Sequence, residues 1–170
     1  MGMEIRKARA GDEAGIIQVC SEGYWHTYKE LLPENTISQI ITDFYTAQRV
    51  AEEIRNTSQS WNGWFVVDDG RAILGAGEGG FIGERIAELF VLYLEPSRKQ
   101  EGIGSRLLEM ITQDQISRGA VEQWVSVSKG NEMGIPFYEA CGFELQREEP
   151  MHGVPGEHGF RALRYRRILR

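Results

Sequence analysis

The sequence contains only two cysteines, Cys20 and Cys141, in 170 residues. That is too few for a disulfide framework or a four-cysteine zinc site. No stretch approaches the roughly 18 consecutive apolar residues that a membrane-spanning helix needs. The first segment, MGMEIRKARAGDEAG, also lacks the apolar run of a signal peptide. These absences lead to the expectation of a reduced, cytoplasmic protein without membrane contact. The Walker pattern GxxxxGKS/T is missing, which excludes a P-loop NTPase. Three histidines are scattered: His26 has nothing at metal-ligand spacing, and His152 and His158 sit in a glycine- and proline-rich loop, so no metal is expected.

Basic residues are in deficit as well. Nineteen Lys and Arg face 25 Asp and Glu, a net charge of −6. Five of those arginines (Arg161, Arg164, Arg166, Arg167, Arg170) lie in the last ten residues, so residues 1–160 hold 14 bases against 25 acids, a net −11. A body this acidic repels nucleic acid, whose binding requires clustered Lys and Arg. It attracts small cations, and it also keeps a protein soluble. The terminal arginines read as a solvated strand face, with a homodimer contact as the other reading.

What is present fits one domain over 1–170, since 41% of the residues are hydrophobic and 26% charged. Residues 3–8 alternate as a strand. Asp12 stands where it can cap a helix carrying Ile16, Ile17, Val19, Cys20 and Tyr24. Pro33 interrupts, and helical periodicity resumes over 36–56 with a break near Tyr45-Thr46. Strands follow at 61–67, from Arg71 after an Asp69-Gly70 turn, and at 86–94. A helix over 102–118 presents Ile103, Leu107, Met110 and Ile111 on one face. A strand at 121–127, a helix at 135–141 ending at Gly142, and strands at 143–147 and 160–169 complete the chain. The order predicts an α/β (α+β) sandwich around one mixed sheet.

Two glycine patterns compete for a ligand. Gly75, Gly77 and Gly80 match GxGxxG, but strand-like residues follow where the dinucleotide fingerprint needs a helix. Glycine inside a strand marks a bulge or close packing instead. The segment Lys99-Gln100-Glu101-Gly102-Ile103-Gly104-Ser105 has the right context, between a strand ended by Pro96 and an amphipathic helix. Its glycines admit close backbone approach, and unpaired N–H groups at the positive helix end attract a pyrophosphate.

These residues resemble a family. Leu92-Tyr93-Leu94-Glu95-Pro96 followed by Lys99-xx-Gly102-x-Gly104 is similar to the acetyl-CoA signature of the GNAT superfamily of N-acetyltransferases. Asn131, seven residues before Tyr138, and then Gly142-Phe143 resemble that superfamily's second signature. Lys99 departs from the usual Arg or Gln and lacks the bidentate fork of arginine. The resemblance implies a mostly antiparallel central sheet of about seven strands with helices on both faces, and transfer of an acetyl group from acetyl-CoA to an amine within a ternary complex. It implies that the backbone of Leu92, Tyr93 and Leu94 holds the pantetheine arm, and that Lys99, Gln100, Glu101, Gly102, Ile103, Gly104 and Ser105 hold the pyrophosphate.

Such transfer needs a neutral amine, donors for the oxyanion and an acid for the departing thiolate. An alkyl amine has a pKa of about 10.4 and is mostly protonated at pH 7, so a general base is useful. Tyr138 is the candidate general acid, against the reading that it packs beside Phe137. Asn131 is read either as a contact to the cofactor arm or as a helix N-cap. Glu88 is the candidate base, against an exposed strand glutamate, with Glu30 as a weaker alternative. Tyr24, Trp25 and Tyr28 lie where the family places its acceptor, although aromatics at that spacing also build cores. Cys141 reads as a buried thiol. The expected acceptor is a small cationic amine such as a polyamine. Protein N-terminal or lysine acetylation, and CoA binding without catalysis, are the rival classes.

Overall fold

The computed structural model describes residues 2–98, 102–151 and 160–169. Seven strands form one sheet in the order β1-β2-β3-β4-β5-β7-β6. They are β1 (Glu4–Lys7), β2 (Gly63–Asp68), β3 (Ile73–Gly83), β4 (Ile86–Leu94), β5 (Glu122–Ser128), β6 (Glu144–Pro150) and β7 (Arg161–Ile168). Every neighbouring pair is antiparallel except β4 with β5. The helices are α1 (Glu13–Tyr28), α2 (Glu34–Phe44), α3 (Ala47–Arg55), α4 (Ile103–Ser117) and α5 (Gly134–Ala140). The break expected at Tyr45-Thr46 separates α2 from α3, and the Thr46 hydroxyl caps α3 by accepting from the Arg49 N–H.

Alternation along β2 sorts the core into two layers, because successive strand side chains point to opposite faces. Trp64 and Val66 pack with Ile16, Val19 and Cys20 of α1 and Val50 of α3. Phe65 and Val67 join Ile103, Leu107, Leu108 and Ile111 of α4 on the other side. Met110, expected on that stripe, is 39% exposed; the buried positions of α4 continue instead through Thr112 and Gln115.

The glycines of β3 explain how α4 can lie so close to the sheet. A Cβ on Gly77 would stand 2.8 Å from Ile111 Cδ1, and one on Gly79 would stand 2.6 Å from Gln115 Nε2. The GxGxxG match is therefore a strand surface shaved for helix packing.

Two local expectations are corrected. Asp12 does not cap α1 with its side chain. Its carboxylate accepts from the Arg9 N–H and forms a two-bond pair with Arg6, which also reaches Asp68 at 2.9 Å. The arginines after residue 160 do not form one solvated face. Arg164 is buried against Glu88, and Arg167 bridges Gln123 on β5, Thr112 on α4 and the Cys141 carbonyl. Cys141 itself is half-buried, and burial pushes its thiol up.

The Arg6 pair yields a stability prediction. Burial raises the Asp12 pKa, but hydrogen bonds from Arg6 and the Arg9 N–H outweigh it and hold the carboxyl below its usual range. Removing the cation leaves a mostly buried carboxylate uncompensated, so Arg6→Met is expected to cost about 3 kcal/mol in urea unfolding at pH 7. Because the folded pKa of Asp12 is depressed, the pair's contribution is complete above the unfolded value of about 3.9 and disappears as pH falls through the folded one. The gap between wild type and variant should therefore close on acidification. A gap independent of pH would show that the network contributes by packing alone.

Candidate active site

The site begins where β4 and β5 part. Their parallel pairing runs only from Ile86↔Glu122 to Leu89↔Val125. Beyond it β4 stays paired only with β3, and β5, paired with β7 along its whole length, continues through Ser126↔Arg164 to Ser128↔Ala162. A register shift between Glu78 and Gly79 leaves Phe90 as the extra residue of a bulge at this point, and bulges bend the strand that carries them. The separation opens a cleft of about 610 Å³, within the usual range for small-molecule sites. Residues 91–94 have no β5 partner, so their backbone edge is available to an extended ligand. Leu92, Tyr93 and Leu94 all line the cleft.

One wall is the start of α4. Gly102 has φ +76, a left-handed conformation that favours glycine, and it turns the chain so that the first N–H groups of α4 enter the cleft wall. Gly102, Gly104 and Ser105 line the cleft. Ile103 differs, because its side chain is 2% exposed in the core and only its backbone can serve a ligand. Lys99, Gln100 and Glu101 lie outside the described residues, as does the loop with His152 and His158. The local fit to a diphosphate is good: orphan donors and a positive dipole end occur beside glycines that keep the approach clear.

The second wall is α5. Tyr138 lines the cleft although its ring is held edge-on by Phe137 at 5.0 Å and Phe143 at 5.6 Å. The packing and site readings of Tyr138 are thus compatible. Burial pushes its phenol well up, so it keeps its proton at neutral pH. Asn131 also lines the cleft, and its Oδ1 accepts from the N–H groups of Met133 at 3.2 Å and Gly134 at 2.8 Å, fixing the entry to α5.

Thr27, Tyr28, Phe90, Ser126 and Ser128 also line the cleft. The Ser128 hydroxyl donates to Tyr28 Oη at 2.9 Å and joins the end of α1 to β5. Of the three aromatics expected here, Tyr28 lines the cleft and Tyr24 stacks behind it, with ring centroids 4.3 Å apart. Trp25 is not among the lining residues. Ser126 and Ser128 carried no signal of their own, because the residues they approach are distant in sequence.

Glu88 requires correction. Both of its carboxylate oxygens accept from the Arg164 guanidinium, at 2.8 and 2.9 Å, and its side chain is 13% exposed. Both oxygens are thus engaged by a cation on β7 and neither is free to meet an acceptor amine. Glu88 also does not line the cleft. Glu30, the weaker alternative, is exposed in the turn after α1.

Among the described residues no helix is long and apolar enough to cross a membrane, and no group of three or more His, Cys, Asp or Glu could hold a metal. The model of the acetyltransferase (GNAT) family matches residues 25–143. A spermidine N(1)-acetyltransferase of Thermoplasma acidophilum is 29% identical over 152 residues, covering 86% of this chain and 91% of its own. The crystal structure of PaiA N-acetyltransferase from Thermoplasma acidophilum in complex with coenzyme A has a TM-score of 0.83 at 27% identity, over 99% of this chain and 100% of that one. The [Ribosomal protein bS18]-alanine N-acetyltransferase of Escherichia coli is 33% identical over 57 residues, 34% of this chain and 38% of its own. With a family match across most of its length and a cleft whose local chemistry suits a coenzyme A thioester, this chain belongs to the GNAT family and is an acetyl-CoA-dependent N-acetyltransferase.

Proposed function

We propose that the acceptor is a primary amine of a small, multiply charged cation of the polyamine type, acetylated by direct transfer in a ternary complex. The observation that carries this reading is the likeness to a spermidine acetyltransferase over 86% of the chain. The net charge of −11 over residues 1–160 supports it, because an acidic body concentrates such cations near the cleft.

Acetyl-CoA supplies the acyl group as a thioester. The free edge of Leu92, Tyr93 and Leu94 binds the pantetheine arm as an added strand, and the α4 N-terminus at Gly102, Ile103, Gly104 and Ser105 binds the diphosphate. Lys99, Gln100 and Glu101, which precede Gly102 in the sequence, supply further contacts to the diphosphate in this reading. A backbone N–H at the β4 bulge polarises the thioester carbonyl, a kind of donor that contributes roughly 3 kcal/mol where measured. Tyr138 gives its Oη proton to the departing thiolate, and Asn131 holds α5 in place beside the arm. Tyr28, backed by Tyr24 and with Trp25 on the same helix, forms the acceptor end, where aromatic faces suit an ammonium.

Thiol release with a panel of amines tests the acceptor. Spermidine or a related polyamine is expected to exceed an alanyl peptide by about 100-fold in kcat/KM, a gap of about 2.7 kcal/mol. Preference for the peptide would overturn the proposal in favour of a protein N-terminal acceptor, the activity named for the Escherichia coli relative.

A further inference from the structure

We infer that Arg167, near the end of β7 and outside the cleft, is a positioning residue for acetyl transfer that acts through Tyr138. This inference rests on the reading of Tyr138 as proton donor and deepens it.

The Arg167 guanidinium makes hydrogen bonds to three different elements. Its Nη1 donates to the Cys141 carbonyl at the end of α5 at 2.8 Å. Its Nε donates to Gln123 Oε1 on β5 at 2.9 Å, and its Nη2 donates to Thr112 Oγ1 on α4 at 3.0 Å. Acceptors in three fixed directions match the planar fork of arginine, which the single ammonium of lysine does not reproduce. Arg6 and Arg164 sit against carboxylates, whereas these acceptors are two neutral side chains and a carbonyl.

Tyr138 is held by the groups that Arg167 touches. Cys141 lies three residues beyond Tyr138 at the C-terminus of α5, where basic side chains commonly satisfy the last carbonyls of a helix. The guanidinium also lies over the Phe143 ring, 4.5 Å from its centroid. Phe143 meets the Tyr138 ring edge-on at 5.6 Å, and its N–H donates to the Tyr138 carbonyl at 3.0 Å. Arg167 thus braces Tyr138 through its helix and through its ring neighbour, while Arg167 itself does not line the cleft.

The other arm of the brace reaches β4. Gln123 Nε2 donates to Thr112 Oγ1 at 3.0 Å and to Gln115 Oε1 at 2.8 Å. Gln115 Nε2 donates to the Glu88 carbonyl at 3.1 Å, two residues before the bulge at Phe90. Gln115 and Gln123 are fully buried, and Thr112 is nearly so. Buried amides engaged at both ends hold one orientation, because each broken bond leaves a desolvated polar group. One continuous network therefore fixes α5, which carries the donor, relative to the β4 bulge, the proposed seat of the thioester carbonyl. Proton transfer needs Tyr138 Oη within hydrogen-bond reach of the departing sulfur, and a misplacement of about 1 Å costs about 100-fold in rate.

The test measures kcat, amine KM, acetyl-CoA affinity by calorimetry and thermal stability, with the amine that turns over best and well below the unfolding temperature. It compares wild type, Arg167→Met, Arg167→Lys, Tyr138→Phe and the double variant Arg167→Met, Tyr138→Phe. Arg167→Met should lower kcat by about 10–100-fold and leave acetyl-CoA affinity within about threefold. Affinity survives because Ile103 and Leu107 anchor the start of α4 separately in the core. A merely structural brace would lower the unfolding temperature and leave the kcat of the folded enzyme intact. Arg167→Lys keeps the charge without the fork and should also lose kcat; it replaces the methionine variant, alone and in the double variant, if that one does not fold. In the Tyr138→Phe background the Arg167 substitution should cost less than about threefold further, because the group it positions is gone. Wild-type kcat in the folded Arg167 variant, or losses that multiply in the double variant, would overturn the inference alone. Wild-type kcat in Tyr138→Phe would overturn the donor reading, and action through Tyr138 with it.

Discussion

Tyr138→Phe is expected to lower turnover by about 10–1,000-fold while leaving acetyl-CoA affinity within about twofold. The substitution removes one oxygen and keeps the ring. The edge-on contacts with Phe137 and Phe143 survive, so stability and the shape of the cleft wall should change little. What disappears is the proton donor at the α5 side of the cleft. The range starts low because a thiolate, from a thiol of pKa about 8.5, can depart unaided at neutral pH more readily than an alkoxide. The loss reaches the upper end only if expulsion of the thiolate limits the rate. Because burial pushes the Tyr138 phenol well above its ordinary value, the wild-type donor stays protonated across the neutral range and should add no pH limb there. Steady-state kinetics with a parallel calorimetric titration separates the two effects, and an unchanged kcat would remove Tyr138 from the role.

Gly104→Glu is expected to abolish measurable acetyl-CoA binding in a protein that still folds. A Cβ at this position would stand 3.2 Å from Leu94 Cδ1 and 3.4 Å from Phe137 Cε1, close to its neighbours without burying into backbone. The rest of the side chain has no room behind it and must enter the cleft that Gly104 lines. There it places a carboxylate where a diphosphate should sit. Two like charges about 4 Å apart repel by about 4 kcal/mol at an effective dielectric of 20, which is close to a thousandfold in affinity before steric exclusion is counted. The same carboxylate in the first turn of α4 is favourable to the helix dipole, so thermal stability should be nearly preserved. Gly104→Ala is the informative control, since its methyl needs only a small movement of Leu94. Retained affinity in the glutamate variant would show that the diphosphate binds elsewhere.

The part of the cleft proposed to hold the cofactor was legible as a group because its residues are local in sequence. Gly102 and Gly104 open one helix, Asn131 and Tyr138 span one turn-and-helix unit, and Leu92, Tyr93 and Leu94 form one strand end. Spacing along a helix or strand fixes such groups relative to each other before any long-range contact forms. The long-range contacts around the proposed acceptor region were not legible in the same way. Tyr28 meets Ser128 across 100 residues of sequence, and Glu88 meets Arg164 across 76. Nothing in the spacing of those residues announces either contact. The arginines near the C-terminus were misread for the same reason, since strand alternation on β7 sends Arg164 and Arg167 to opposite faces and each finds a different buried partner.

Composition and periodicity by themselves determined the element order, the acidic character and the glycine-opened helix that suits a diphosphate, all properties of short segments and summed charge. Only the tertiary structure decided which carboxylate is paired and which is not. That choice depends on sheet register, and a one-residue shift in register exchanges the face on which every side chain of a strand lies. The bulge that opens the cleft at Phe90 and the bidentate hold of Arg164 on Glu88 are both products of that register.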